Sequence, residues 1–552
     1  MEVDNGMDPQ TGYCAKSRIY YSKLVPGEIP SERTDLVTYL FERRRGDGAV
    51  VAVVDGRSGR KLTYSELEQS VRVVAAGLVE RLGVKKGDVL GILSPNSVEF
   101  EVLFLAAASL GVVASALNPL NTNGDVKKLF RVAGAKYIFT VPELLAKAEA
   151  TGLPVVVIEG DEASSKLGDS KKPFLRYSDL LSGNPRNIPR VQVSQEDPAA
   201  ILFSSGTTGE SKGVVLTHGN FIAMCAVVTA PRVDGGLNKV VLHLIPMFHI
   251  FGLLVSVGNI ARGATVVVLP RFDFLEMLTT IQKYQVTSFP LVPPILLLMI
   301  KQDVVQKFDM SSLRNIGCGA APLGKEQLDQ CAARFPNAKL LQGYGLTESS
   351  AVGSCTPADG AEFADHFGSA GMLGPTLEAM VVDPLTNEAV PPTKQGELWL
   401  RGPTIMKEYV GNAKATAEAI DKDGWLHTGD LVYFDNDGYL YIVDRLKELI
   451  KYKANQVAPA ELESLLLGHP AVLDAAVIPF PDEEAGEIPM AYIVRKPESA
   501  LTAEEAMKFV AEQVAPFKKI RKVAFIEAIP KSAAGKMERR KLVELSRLQS
   551  KM

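Results

Sequence analysis

The sequence predicts an α/β fold. A large N-terminal domain of two α/β sheet subdomains and a small β-subdomain precedes a small α+β C-terminal domain. Three observations carry this. From about residue 49, and again from Val240 to Leu341, β-branched runs alternate with helix-length segments, the pattern of parallel sheet covered by helices. After Gly371 the runs shorten and turns multiply, as in GELWLRG at Gly396 to Gly402, which reads as antiparallel sheet. From Asp444 a charged run, DRLKELIKYK, leads into a compact mixture of helix and strand. The boundary is placed there, giving residues 1–444 and 445–552 with a hinge at Arg445 to Lys447. A chain of 552 residues is also too long for one hydrophobic core.

Val50 to Val54 is β-branched and reads as a strand, and residues 56–59 as a turn. Thr63 or Ser65 with Glu66 or Glu68 forms a capping box for a helix that Gly83 ends. Val89 to Leu93 is a strand, followed by a helix from Asn96 or Ser97 to Gly111. The uncharged window Val102 to Gly124 is long enough to cross a membrane, but Gly111, Asn118, Pro119 and Asn121 break it into a buried helix, a strand and a turn. Strands are expected at Tyr137 to Val141 and Val155 to Ile158, then a polar loop over 160–173. Further strands fall at Ala199 to Phe203, Gly213 to Leu216, Val240 to Leu244, Ala264 to Leu269 and Leu340 to Gln342.

A formal charge of −4 and a pI near 6.0 supply no basic field, which argues against nucleic acid as a partner. The five cysteines form no CxxC pair, as expected of a reducing compartment without a disulfide frame. The opening residues are mixed and polar, so no signal peptide is expected. The final Ser550-Lys551-Met552 resembles the Ser-Lys-Leu peroxisomal address with Met for Leu. The expectation is therefore a peroxisomal protein that meets an import receptor, with the cytoplasm as the alternative.

Ser204 to Val215 reads SSGTTGESKGVV. It fails the nucleotide P-loop pattern because Lys212 is followed by Gly213. It keeps the physical content: small residues that let backbone N–H groups converge, hydroxyls and a cation, pinned between two strand-like runs. Gln342 to Glu348, QGYGLTE, lets a backbone pass close to a ligand and offers Thr347 and Glu348 oxygens suited to Mg²⁺. Alone it also reads as a strand end and helix cap. Thr428-Gly-Asp430 places a carboxylate where a ribose could donate hydroxyls, though alone it is a turn. Near the end, PKSAAGK puts Lys536 in a flexible basic segment, where lysines are ordinarily solvated.

Together SSGTTGESKG, QGYGLTE, GELWLRGP, GWLHTGD, DRLKELIKYKANQVAPAELE and PKSAAGKMERRKL resemble the adenylate-forming acyl-CoA synthetases, in the plant 4-coumarate:CoA ligase-like branch, from about residue 35 onward. The resemblance implies ATP, Mg²⁺ and CoA as cofactors. It implies transfer of AMP to a carboxylic acid, with release of pyrophosphate, then thioester formation. The small domain becomes a mobile one that closes for adenylation and rotates for transfer.

By the same resemblance, ATP or AMP is held by Ser204, Ser205, Gly206, Thr207, Thr208, Gly209, Lys212, Ala321, Gln342, Gly343, Tyr344 and Thr347. Asp430 and Arg445 become the ribose pair, Lys447 the hinge residue and Gln456 an AMP contact. Glu348 with Thr207 holds the metal. Lys536 bridges the acyl carboxylate and the α-phosphate, while Lys451, Gln456 and His249 stand with it as the catalytic set. CoA meets Arg271, Lys453 and the loop at Ala454, where the family usually has Gly. The acyl site is His249, Phe251, Val255, Ala321, Gly343, Thr347 and Cys355. Glu210 departs from the family's small or apolar residue and is expected to face solvent.

Between Leu242 and Val268 there is no Asp or Glu. An ammonium group buried there would lack a counter-charge, which disfavours amino acids as substrates. Coumarate ligases typically carry Tyr and Ser on this wall, where the chain has Phe251 and Val255. Losing both hydroxyls favours a medium- or long-chain fatty acid or an oxylipin precursor over hydroxycinnamates. A luciferase-like oxygenase shares the same strings. A carrier-loading adenylation domain is disfavoured because no carrier segment follows Lys541. A non-catalytic nucleotide binder is disfavoured by the presence of Lys212, Glu348 and Lys536.

A cation held at the α-phosphate stabilises the adenylation transition state by about 3 to 4 kcal/mol. Lys536→Ala is therefore expected to abolish acyl-AMP formation while preformed acyl-AMP still reacts with CoA. Equal loss in both half-reactions, measured separately, contradicts that role.

Overall fold

A computed structural model describes residues 6–31, 34–44, 48–159, 174–205, 211–234, 239–319, 325–357, 366, 368–453, 455–497, 499–531 and 537–549. The polar stretch 160–173, Gly206 to Glu210, Ala321, Ala454, Lys536 and the Ser550-Lys551-Met552 tail lie outside the described residues.

The alternation in the N-terminal half folds into two large, mainly parallel sheets. One runs, in spatial order, through Glu408–Tyr409, Ser211–Thr217, Pro198–Ser205, Val113–Ala116, Val89–Leu93, Ala135–Thr140, Val155–Val157 and Leu175–Arg176. The other runs through Met372–Leu373, Ser354–Cys355, Lys339–Tyr344, Asn315–Cys318, Ser288–Leu291, Val240–His243, Thr265–Val268, Val51–Asp55 and Lys61–Thr63. Ser204, near the carboxyl end of Pro198–Ser205 in the first sheet, and Glu348, just past the carboxyl end of Lys339–Tyr344 in the second, are joined by a hydrogen bond, and the carboxyl ends of strands are where open α/β sheets collect ligands.

Local signals explain the elements. Thr63 accepts from the Glu66 amide while Glu66 reaches back, closing the capping box of helix Tyr64–Leu82, and Gly83 ends the helix in a left-handed conformation. The expected strand at Val50 begins one residue later, at Val51, and the Val50 carbonyl accepts the Tyr64 amide at 2.9 Å. The uncharged window resolves into the buried helix Val98–Ser109 and strand Val113–Ala116. No helix among the described residues is long and apolar enough to cross a membrane.

The antiparallel sheet expected after Gly371 takes in N-terminal strands as well. Its order is Tyr13–Cys14, Ile19–Tyr21, Glu378–Val382, Gly396–Arg401, Leu426–Phe434 and Leu440–Arg445. Thr428-Gly-Asp430 is not a turn here but lies inside the nine-residue strand Leu426–Phe434. Gly429 supplies a φ of +72° within it. The C-terminal sheet is dominated by the long hairpin of Val472–Asp482 and Gly486–Arg495, with Ile450–Tyr452, Asn455–Val457 and Lys522–Phe525 beside it. Asp444, at the end of the preceding sheet, accepts the Ala460 amide at 2.9 Å and so reaches across the expected hinge.

One buried carboxyl stands out in the core. Glu101 is 2% exposed, its Oε1 accepts from Ser256 Oγ at 2.5 Å, and its Oε2 has no partner among the described residues. Burial pushes this carboxyl up to about 7, while burial pushes His218 and His243 down to about 4. For Glu101 the folded state holds its proton more tightly than the unfolded state. Stability is thus full below the unfolded value of 4.5 and falls as pH rises through 7. The two histidines act oppositely, removing stability as pH falls from 6.5 towards 4. Glu101→Gln is expected to raise stability by about 3 kcal/mol at pH 8, the gain vanishing by about pH 4.5. Denaturation midpoints across that range check this, and a pH-independent difference contradicts it.

Candidate active site

The site is built around Glu348. Strand Lys339–Tyr344 is followed by Gly345, where an added Cβ would lie 2.2 Å from the Ala351 carbonyl, so only glycine admits this close return of the chain. A single 3₁₀ turn, Thr347–Ser349, follows, with the Ser349 hydroxyl accepting the Leu346 amide at 3.0 Å. This turn presents Glu348 to the neighbouring sheet. Ser204 Oγ donates to Glu348 Oε1 at 2.8 Å and the Tyr409 hydroxyl donates to the same oxygen at 2.9 Å. The Glu348 carbonyl also accepts the Met406 amide at 2.8 Å.

The SSGTTGESKG string is a β-hairpin rather than a strand–loop–helix. Ser204 pairs with Lys212 and Ser205 with Ser211 in antiparallel register, so the strands run up to the loop from both sides. Gly206, Thr207, Thr208, Gly209 and Glu210, between these two strands in the sequence, lie outside the described residues. Lys212 Nζ stands 4.8 Å from the Tyr409 ring centroid, within cation–π range.

Asp430 and Arg445 face each other in register across two antiparallel strands, with Arg445 Nε 3.4 Å from Asp430 Oδ1. Asp430 is 3% exposed and its Oδ2 accepts from the Tyr344 hydroxyl at 2.5 Å. Burial and the Asp430 charge hold that phenol far above its ordinary value, so it remains a donor. Glu397 Oε1 accepts the Gly429 amide at 2.9 Å and fixes the backbone beside the carboxylate.

On the acyl side, His249 caps helix Ile250–Arg262 by position and its ring lies 4.9 Å from that of Phe248. Phe251 and Val255 follow one turn apart in a cluster with Val241, Ile245, Ala264 and Val292. Val255 is 1% exposed, buried under the half-buried Phe251, whose ring faces Gly319 closely enough that a Cβ there would lie 3.3 Å away. Cys355 pairs across from Gly343, and burial pushes its thiol up to about 12. Gln342 is buried, with its backbone amide held by Thr356 Oγ1 at 3.0 Å.

Other expected residues stand apart from this group. Arg271 is exposed, just past the end of strand Thr265–Val268. Lys451 and Gln456 are exposed and face each other in the small hairpin of the C-terminal sheet, with the Lys451 amide donating to Glu487 Oε2 at 2.7 Å. Lys453 follows with a φ of +52°, so in the described part of this turn it is a lysine that takes the left-handed conformation. No hydrogen bond or ion pair among the described residues joins Arg271, Lys451, Lys453 or Gln456 to Asp430, Tyr344 or Glu348. Lys447 sits between the two sheets, after Leu440–Arg445 and before Ile450–Tyr452. Ala321, Ala454 and Lys536 lie outside the described residues.

Sequence reasoning missed Tyr409 and Glu397. Glu397 lies in the GELWLRGP string, but nothing in its spacing points to Gly429. Tyr409 follows that string by a few residues in an otherwise ordinary short strand, and only strand pairing brings it to Glu348.

A family model described as AMP-binding enzyme matches residues 40–410, and one described as AMP-binding enzyme C-terminal domain matches residues 461–536. The chain is 47% identical to a 4-coumarate–CoA ligase-like protein of Oryza sativa subsp. japonica, covering 98% of both chains. It is 44% identical to a peroxisomal OPC-8:0-CoA ligase of Arabidopsis thaliana, covering 99% of this chain and 100% of that one. Among solved structures it is similar to ATP-bound MatB from Rhodopseudomonas palustris, with a TM-score of 0.82, 27% identity and coverage of 93% and 98%. The chain belongs to the AMP-binding enzyme family, in its 4-coumarate–CoA ligase-like branch.

Proposed function

We propose that this chain is an acid–CoA ligase that activates an aliphatic carboxylic acid as its acyl-AMP and passes the acyl group to CoA. A carboxylate is a poor electrophile, because its charge repels nucleophiles and oxide is a poor leaving group. In the first half-reaction a carboxylate oxygen attacks the α-phosphorus of ATP, and the bond to pyrophosphate breaks. In the second, the CoA sulfur attacks the acyl carbonyl after its proton is lost, and AMP leaves. One hard step becomes two easier ones.

The single observation that carries this reading is the convergence of Ser204, Lys212 and Glu348 at the carboxyl ends of two sheets. An oxygen-only donor set with a single carboxylate suits Mg²⁺ shared with substrate phosphates. Glu348 would hold it together with Thr207 of the SSGTTGESKG string; bound there, Mg²⁺ would neutralise charge on the departing pyrophosphate. Ser204 to Lys212 cradle the β- and γ-phosphates. Asp430 and Arg445 take the ribose. Lys536, Lys451 and Gln456 come from the small domain, which begins at Arg445 and turns about Lys447. Arg271, Lys453 and Ala454 meet CoA.

Phe251 and Cys355 offer no strong hydrogen-bond partner to a phenol, and Val255 behind Phe251 adds none, which supports an aliphatic acyl chain. The Ser-Lys-Met tail and the similarity to the peroxisomal OPC-8:0-CoA ligase of Arabidopsis thaliana support a peroxisomal location and a fatty-acid or oxylipin-type acid.

ATP–pyrophosphate exchange scored by kcat/KM over an acid panel tests the substrate. Octanoate or longer acids are expected to exceed 4-coumarate by at least about tenfold, and Phe251→Tyr is expected to narrow that gap. A preference for 4-coumarate overturns the aliphatic reading. Light emission with luciferin, ATP and O₂ would instead mark the oxygenase alternative.

A further inference from the structure

Tyr409 touches two members of the phosphate and metal group at once. Its hydroxyl donates to Glu348 Oε1 at 2.9 Å, and its ring lies 4.8 Å from Lys212 Nζ. Its backbone is fixed independently: strand Glu408–Tyr409 pairs with Ser211–Thr217 through Val214 opposite Tyr409, and the Tyr409 amide donates to Thr416 Oγ1 at 3.0 Å. The side chain is 7% exposed.

The two hydroxyls on Glu348 arrive at one oxygen. Ser204 Oγ and Tyr409 OH both address Oε1, so neither occupies Oε2. A carboxylate held this way cannot rotate to present its other face without breaking two charge-assisted bonds. The ring beneath Lys212 likewise offers the ammonium group a fixed resting place without neutralising it, as a carboxylate would.

From this geometry we propose that Tyr409 is a positioning residue for Mg²⁺·ATP: it aims Glu348 Oε2 at the metal and seats Lys212 towards the phosphates. It touches neither the metal nor the reacting atoms and acts through these two side chains. The proposal rests on the metal role of Glu348 and the phosphate role of Lys212 given above.

Tyr409→Phe removes the hydroxyl and keeps the ring, and Tyr409→Leu removes both. Glu348→Gln tests the underlying assignment. Mn²⁺ binding in the presence of ATP, followed by electron paramagnetic resonance, reads the metal site without turnover. Loss of one of two charge-assisted hydrogen bonds is expected to weaken Mn²⁺·ATP binding roughly tenfold in Tyr409→Phe. The Mg²⁺ half-saturation of pyrophosphate exchange should rise by a similar factor. Thioester formation from preformed acyl-AMP and CoA, which uses no ATP, should stay near wild type, as should the melting temperature. Tyr409→Leu should add a rise in KM for ATP. An unshifted metal curve in Tyr409→Phe beside a shifted one in Glu348→Gln overturns the positioning role alone. Unshifted curves in both overturn the assignment of the metal to Glu348. Parallel loss of both half-reactions with a lowered melting temperature makes Tyr409 a packing residue and overturns the proposal.

Discussion

The carboxylate of Glu348 ties the site together. It rides on a 3₁₀ turn at the end of a strand in one sheet and is held by hydroxyls from two strands of another. Both large sheets must therefore be in place before this group exists. A carboxylate held by two neutral donors, with no cation bonded to it among the described residues, is an acceptor with capacity to spare, the arrangement a divalent cation needs. The chain around it serves the same end. Gly345 admits the close return of the backbone, and Ser204 and Lys212 sit opposite each other because the hairpin register puts them there.

A second carboxylate, Asp430, is handled differently. It is buried, and both of its oxygens are engaged, one by Tyr344 and one by Arg445. A ribose entering here would exchange hydrogen bonds rather than find an idle acceptor. Arg445 also ends the last strand before the C-terminal sheet, and Asp444 beside it holds the Ala460 amide across the boundary. The proposed ribose pair and the backbone link to the C-terminal sheet therefore involve adjacent residues, Arg445 and Asp444, a physical route by which nucleotide occupancy would be felt at the proposed hinge.

Much of the fold was legible because alternation of β-branched runs with capped helices has a local physical cause. Strand Val89–Leu93 and a capping box starting at Thr63 or Ser65 were readable from residue types alone, and the structure places the box at Thr63 with Glu66. Taken alone, Thr428-Gly-Asp430 carries a turn signal, glycine next to aspartate, whereas here a positive φ is absorbed within a long strand. The grouping of Ser204, Glu348, Asp430 and Arg445 was legible only through resemblance, since no spacing rule joins residues so far apart in sequence. Tyr409 was not legible at all: its role depends on which strand it pairs with, and that is decided by tertiary packing. Val255, expected on the pocket wall, proved fully buried beneath Phe251, a distinction that helical periodicity cannot draw within an apolar run.

The central claim is that a carboxylate oxygen attacks the α-phosphorus, so that oxygen must leave with AMP when the thioester forms. Turnover of an acid labelled with ¹⁸O in its carboxylate, with mass analysis of the phosphorus products, tests this directly. One ¹⁸O per turnover in AMP, with unlabelled pyrophosphate, is the predicted result. Label in pyrophosphate or inorganic phosphate, with unlabelled AMP or ADP, would contradict an acyl-adenylate route.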